Sequence, residues 1–164
     1  MSHELLIDRY ALGAELLTYA AQGLTLEQQT SRSGPGNWSI LELIVHLADS
    51  DQVGTDRMKR VIAEEGPILR AYDQDAWVAR LQYQNTPIED ALQLFTLNRR
   101  WMTRLLRNLP QEDFGRSGDH NEKGRQTLVH LVTGYTQHLD HHLRHLYAKR
   151  SNLGVTLYPR YAID

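Results

Sequence analysis

The sequence predicts an all-α protein: a four-helix bundle with a long crossover between its second and third helices. Three observations carry that expectation. Apolar residues recur at three- and four-residue intervals along four long segments. Capping residues open the second, third and fourth of these. No convincing strand pair, internal repeat or low-complexity tract interrupts them.

In chain order, the first helix is read from Leu5, Leu6, Leu12, Leu16, Leu17, Ala20 and Ala21, with Gly23 as its stop. The stretch TSRSGPGNW, rich in turn formers, reads as loop. Ser39 and Glu42 have capping-box spacing: hydroxyl and carboxylate each satisfy a backbone N–H that the helix start leaves open. Periodicity then runs through Leu43, Leu47, Met58 and Ile62 until Gly66 and Pro67 end it. The crossover from Gly66 to Asn85 is too long for a tight turn, and Asp73 to Gln82, with Trp77 and Leu81, reads as a short helix within it. Thr86 as N-cap, Pro87 at N1 and Glu89 at N3 start the third helix. Leu92, Phe95, Leu97, Trp101, Leu105 and Leu106 carry it to about Leu109 and Pro110. A second polar connection, QEDFGRSGDHNEKGRQ, leads to Thr127 as the cap of the fourth helix, which ends near Asn152 or Gly154. The tail VTLYPRYAID has a β-like composition and could lie along the bundle or on a second subunit.

With 164 residues the expectation is one domain, 1–164, large enough to bury a core. Its 18 Lys+Arg against 20 Asp+Glu leave no electrostatic footprint for nucleic acid. The chain has no cysteine, which excludes disulfides, thiolate ligands and a cysteine nucleophile and leaves imidazole and carboxylate for metal chemistry. The amino terminus, MSHELLIDRYALGAELL, lacks a signal-peptide core, and no apolar run approaches the ~20 residues that span a bilayer. A soluble cytoplasmic protein without a membrane partner is expected, and the absence of cysteine is compatible with that compartment.

The chemistry concentrates in YTQHLDHHLRHLYAKR, which holds His138, His141, His142 and His145. Each helical residue advances by roughly 100°, so with His138 at zero, His142 lies at about 40° and the stripe of Leu128, Tyr135, Leu139 and Leu146 centres at about 80°. His145 and His141 fall at about −20° and −60°, progressively further from the apolar face. His138 and His142 are therefore expected to face the core at i, i+4 spacing, from which two imidazoles reach one cation. A third ligand belongs on another helix, and His46, flanked by Leu43 and Leu47, is the only histidine of the second. A lone buried histidine usually just fills a hydrogen-bonded core role. Opposite a two-histidine face the metal reading gains: three neutral imidazoles suit Zn, Ni, Fe or Co and leave coordination positions open.

Other residues carry weaker signals. Asp49, one turn after His46, either orients a histidine as a hydrogen-bond acceptor or simply caps and solvates. The capping box accounts for Glu42. His120, in the loop before the fourth helix, reads as exposed and without a task more readily than as a general acid or base. Tyr72 and Trp77 read as anchors of the crossover rather than as pocket walls. Arg99, Arg100, Arg104 and Arg107 read as a solvated helix face favoured by the helix dipole.

Four stretches, WSILELIVHLADSD, YDQDAW, RRWMTRLLRNLPQEDF and HLDHHLRHL, together resemble the DinB/YfiT-like superfamily of metalloenzymes from about Trp38 to Arg150, closest to its YfiT branch. The resemblance implies a four-helix bundle, often a homodimer, with one metal-binding histidine on the second helix and two on the last. Carried over, these are His46, His138 and His142. Asp51 stands where the pattern can carry a further histidine, so no fourth ligand is expected there, and Arg100 or Trp101 could shape the site. The superfamily includes thiol S-transferases using bacillithiol or mycothiol and a thiol-dependent isomerase, and its YfiT-like members are described as hydrolases.

The expected protein is thus a divalent-metal enzyme, using Zn or Ni before Fe, Co or Mn, that acts on a small molecule. A cation favours deprotonated water, giving a hydrolase of amides or esters, and equally a deprotonated low-molecular-weight thiol, giving an S-transferase. The rival expectation is a non-catalytic, stress-related dimeric bundle with a structural or sensing metal site.

Overall fold

The computed structural model of the protein describes residues 3–34 and 36–160. Four long helices, α1 (His3–Ala21), α3 (Ile40–Ala63), α5 (Ile88–Arg107) and α6 (Leu128–Asn152), form a mostly helical bundle. Two short helices, α2 (Leu26–Thr30) and α4 (Gln74–Arg80), lie in its connections. α1 and α3 each pack against both α5 and α6, so the order around the bundle is α1–α5–α3–α6. α1 and α3 therefore sit at opposite corners, as do α5 and α6, whereas the long crossover joins the neighbouring helices α3 and α5. Among the described residues no helix is long and apolar enough to cross a membrane.

The helix starts follow local chemistry. Ser39 Oγ accepts from the Glu42 N–H at 3.1 Å while Glu42 Oε2 accepts from the Ser39 N–H at 2.8 Å, completing the expected capping box of α3. Thr127 Oγ1 accepts from the His130 N–H at 3.2 Å and opens α6 as expected. The short helix expected over Asp73 to Gln82 is α4, Gln74–Arg80, with Asp73 as its N-cap. α5 differs: Pro87 occupies the N-cap without a side-chain bond, and Thr86 ends the preceding 3-10 turn, Tyr83–Asn85. Helix α2 precedes the TSRSGPGNW loop and is stabilised by a second capping box between Thr25 and Gln28.

A small sheet corrects the expectation of no strand pairing. β1 (Ile68–Leu69) runs parallel to β2 (Ser117–His120), which pairs antiparallel with β3 (Gly124–Thr127). These strands are two to four residues long, and SGDH and GRQT show no alternation of apolar and polar residues, so periodicity had nothing to register. Two glycines build it: Gly124 turns the hairpin at φ 68°, and a Cβ on Gly118 would lie 2.7 Å from the Pro67 carbonyl. The tail runs along the bundle, with the Tyr19 hydroxyl donating to the Tyr158 carbonyl and the Arg160 guanidinium 4.0 Å from the Tyr19 ring. Residues 161–164 of that tail lie outside the described residues.

The core falls into two apolar clusters. One centres on Leu17, Ile44, Leu47, Phe95, Leu139 and Leu143, the other on Tyr10, Met58, Met102, Phe114 and Val132. Arg99 bridges them, its guanidinium 3.9 Å from the Tyr10 ring centre and 4.8 Å from that of Phe95. It is 2% exposed, which corrects the reading of Arg99 as part of a solvated face. Its Nε donates to Asp51 Oδ1 at 2.6 Å, Nη1 to the Tyr10 carbonyl at 3.1 Å and Nη2 to the Tyr135 carbonyl at 3.0 Å. One α5 side chain thereby ties α3, α1 and α6 together. The buried face of α5 runs Ile88, Ala91, Phe95, Arg99, Met102 and Leu106, whereas Leu97 and Trp101 are 51% and 60% exposed.

Candidate metal centre

The capped start of α3 fixes the helix that presents His46 two turns later, where it is 1% exposed. From α6, His138 and His142 project at i, i+4 spacing toward it. His138 Nε2 lies 3.3 Å from His46 Nε2 and 3.0 Å from His142 Nε2. Ligand nitrogens of all three rings lie within 4.8 Å of one another. The structure thus brings together the three histidines selected from sequence and leaves His141 and His145 exposed, as expected. Trp38 walls the group, its ring 4.9 Å from that of His46 and stacked 6.5 Å from that of His142. Lys149 holds Trp38 in place by donating to its carbonyl.

The donor set fits a cation. Each imidazole nitrogen has one in-plane position, filled by a hydrogen or by a lone pair. His138 Nε2 therefore cannot form full hydrogen bonds with both neighbours, and three imidazole nitrogens gathered this closely are best satisfied by a positive ion. Tetrahedral ligands at 2.0–2.1 Å from zinc stand ~3.3 Å apart, matching the two observed separations of 3.0 and 3.3 Å. The Nδ1 atoms of His46 and His142 find no partner, so no hydrogen bond from another side chain orients either ring.

Burial holds all three rings uncharged, His46 at about 4, His138 at about 3 and His142 at about 2, the last two lowered further by the neighbouring imidazoles. An unfolded chain binds protons on these groups near ~6.5 that the folded chain refuses, so acid favours unfolding. The metal-free protein is expected to keep full stability above pH ~6.5 and to lose it steadily toward pH ~4. Denaturant midpoints measured in chelator across that window check this, with a shallower slope expected for His46→Gln and a flat profile contradicting it.

A cavity of about 300 Å³ opens beside His138, with Ser50, Arg57, Tyr72, His120 and Tyr135 among its lining. Tyr72 is therefore part of a pocket wall, while Trp77 packs on the core and on Tyr72. Arg57 Nη1 donates to the Tyr135 hydroxyl at 2.8 Å, and the Tyr135 ring meets that of His138 edge-on. Tyr135 is seated by Gly54: a Cβ there would stand 2.5 Å from the tyrosine ring. Gly54→Ala is expected to displace that ring and cost about 1–3 kcal/mol, measured by denaturant unfolding.

Several sequence expectations are corrected here. His120 is 5% exposed and on β2, where its Nδ1 accepts from the backbone N–H groups of Glu122 and Lys123 at 3.2 and 3.3 Å. Asp49 orients no histidine: it accepts from the Tyr83 hydroxyl and from Gln52. Asp51 pairs with Arg99, and burial pushes its carboxyl up while Arg99 and Asn98 pull it back. Arg100 and Trp101 are exposed and line no part of this cavity. Arg57 is the residue that sequence reading missed. It follows His46, Ser50 and Gly54 at helical spacing, so the signal was present on one face of α3.

The DinB superfamily model matches residues 9–146. The chain belongs to the DinB superfamily. An Oceanobacillus iheyensis relative named "Putative metal-dependent hydrolase" is 36% identical over 132 residues, covering 80% of this chain and 76% of that protein. A Bacillus pumilus protein of the same name is 35% identical over 142 residues, covering 85% and 80%. Among solved structures, YfiT from Bacillus subtilis, described as a probable metal-dependent hydrolase with an unusual four-helix bundle topology, superposes with TM-score 0.86 at 27% identity over 92% of this chain and 87% of its own. A DinB-like protein from the same organism, at 15% identity and TM-score 0.69 over 96% and 97% of the two chains, shares the fold. This DinB-superfamily chain has the YfiT-like bundle, with the three-stranded sheet added to its helices.

Proposed function

We propose that this DinB-superfamily protein is a metal-dependent hydrolase of a small molecule, in which His46, His138 and His142 hold one divalent ion, zinc or nickel. The observation that carries the reading is the convergence of these three side chains, from two helices, beside a cavity. Among the described residues no other His, Asp or Glu joins the group. Three protein ligands leave a position open, the pattern of catalytic zinc sites, whereas structural sites are closed by four. When bound, the ion supplies Lewis acidity that polarises a carbonyl and brings the pKa of water to ~7.

The chain's own residues prepare the surroundings. Low ring pKa values mean that no proton competes for the three nitrogens at neutral pH. Trp38 shields one side of the histidine cluster from water. Tyr135 accepts from Arg57 through its oxygen and keeps its own O–H, because burial pushes that phenol up to about 12. It therefore remains a hydrogen-bond donor in the cavity wall at neutral pH.

The names of the relatives favour hydrolysis over thiol transfer. The test is a screen of the metal-loaded protein against simple esters and amides, and separately against thiol–electrophile pairs. Loss of ester or amide with no thiol present is the expected result. Thiol consumption without hydrolysis selects the transferase, and inactivity on both panels favours a structural or sensing site.

A further inference from the structure

The geometry points to an anionic substrate: we infer that Arg57 receives a carboxylate of the small molecule whose scissile bond meets the histidine cluster. The inference rests on the hydrolase reading of that cluster and adds the substrate class.

Arg57 is 8% exposed and lines the same cavity as His138. No Asp or Glu among the described residues pairs with it, although seven other ion pairs are formed. The contrast with Arg99, buried in the same bundle and matched to Asp51, is direct. Arg57 donates only to neutral oxygens, Nη1 to the Tyr135 hydroxyl and Nη2 to the Arg70 carbonyl, and its Nε has no partner. Of the five guanidinium N–H bonds, three are uncommitted.

A cation withdrawn from water without a counter-charge is costly to the fold. Such a charge in a cavity wall is explained when a ligand brings the missing one. The rest of the wall agrees. Lys123 adds a second cation and Glu122 the single acid, while His120, His130 and His138 contribute imidazoles. His120 is held below the usual histidine range by burial, then by Arg57 and Lys123. Without a ligand the lining therefore carries net positive charge. A planar carboxylate matches the guanidinium fork and gains charge-assisted hydrogen bonds there. Tyr135 stands between the two functions, bonded to Arg57 and edge-on to His138 at 6.4 Å. A substrate spanning that tyrosine carries its carboxylate a few bonds from the reacting carbonyl.

The test compares N-benzoylglycine with N-benzoylglycinamide, nearly identical in shape and different in charge. Binding to the full chain is measured by calorimetry, before and after chelation, so that coordination to an ion is separated from recognition by Arg57. The acid is expected to bind about tenfold tighter than the amide in both conditions. Arg57→Gln should remove that preference, and Arg57→Lys, which keeps a cation but loses the fork, should lower it severalfold. Equal affinities in the wild type, no saturable binding of the acid, a preference lost on chelation, or an unchanged preference in either variant would each overturn the inference. Because binding is read without turnover, the outcome is independent of the hydrolysis screen. A protein that hydrolyses neutral esters but ignores the acid loses only this inference, and one that prefers the acid without hydrolysing anything loses only the proposed reaction.

Discussion

Replacing His46, His138 or His142 by alanine is expected to abolish stoichiometric binding of zinc or nickel, while His141→Ala leaves it intact. Each of the three contributes one nitrogen to a cluster only 3.0–3.3 Å across its two shortest edges, so removing any one leaves two ligands. Loss of an outer partner of a metal site already costs about 10–100-fold in affinity, and loss of a ligand itself should exceed that. His141 sits next to His142 in sequence but is exposed and outside the cluster, which makes it the matched control. Elemental analysis of the purified variants, with chelator competition, reads the result. Retained stoichiometry in His138→Ala would contradict the assignment, as would equal loss in His141→Ala.

Asp51→Ala should be the most destabilising single change in the bundle. Asp51 and Arg99 are each 2% exposed, and the alanine leaves the Arg99 charge buried without its partner. Breaking a buried pair on one side costs about 3–5 kcal/mol, which in a domain of this size lowers Tm by on the order of 10 °C. Arg99 also holds the Tyr135 carbonyl, one turn before His138, so slackening at that point should reach the histidine cluster and weaken metal retention. Replacing both partners, Arg99→Met with Asp51→Leu, removes the stranded charge and is expected to recover much of the loss. Thermal unfolding of the two variants beside the wild type decides this, and an Asp51→Ala protein within about 1 kcal/mol of wild type would show that the pair contributes no more than an ordinary contact.

The bundle was legible because helices announce themselves through caps and a 3.6-residue period. Ser39 with Glu42 and Thr127 cap α3 and α6 as read, and the same period put His138 and His142 on the inward face of α6. What escaped was written in shorter or mixed signals. The sheet pairs Ile68 and Leu69 with residues about fifty positions away, through strands too short and too polar to show alternation. Arg99 escaped for a different reason: arginine on a helix is usually solvated, and the apolar pattern read for α5 took in Leu97 and Trp101, which are exposed, instead of the Ala91, Phe95, Met102 and Leu106 face that Arg99 shares. Its partner Asp51 lies on the buried face of α3 by the same spacing, and reading both together would have predicted the pair. His120 had no comparable cue, since its burial follows from pairing of β2 with both of its neighbours.

The most direct measurement is X-ray absorption spectroscopy of the zinc-loaded protein. Three imidazole nitrogens at 2.0–2.1 Å, completed by a lighter ligand that is not a protein imidazole, is the predicted first shell, with His142→Ala showing two. A shell of four protein ligands, or one unchanged by that substitution, would contradict an open site built from His46, His138 and His142.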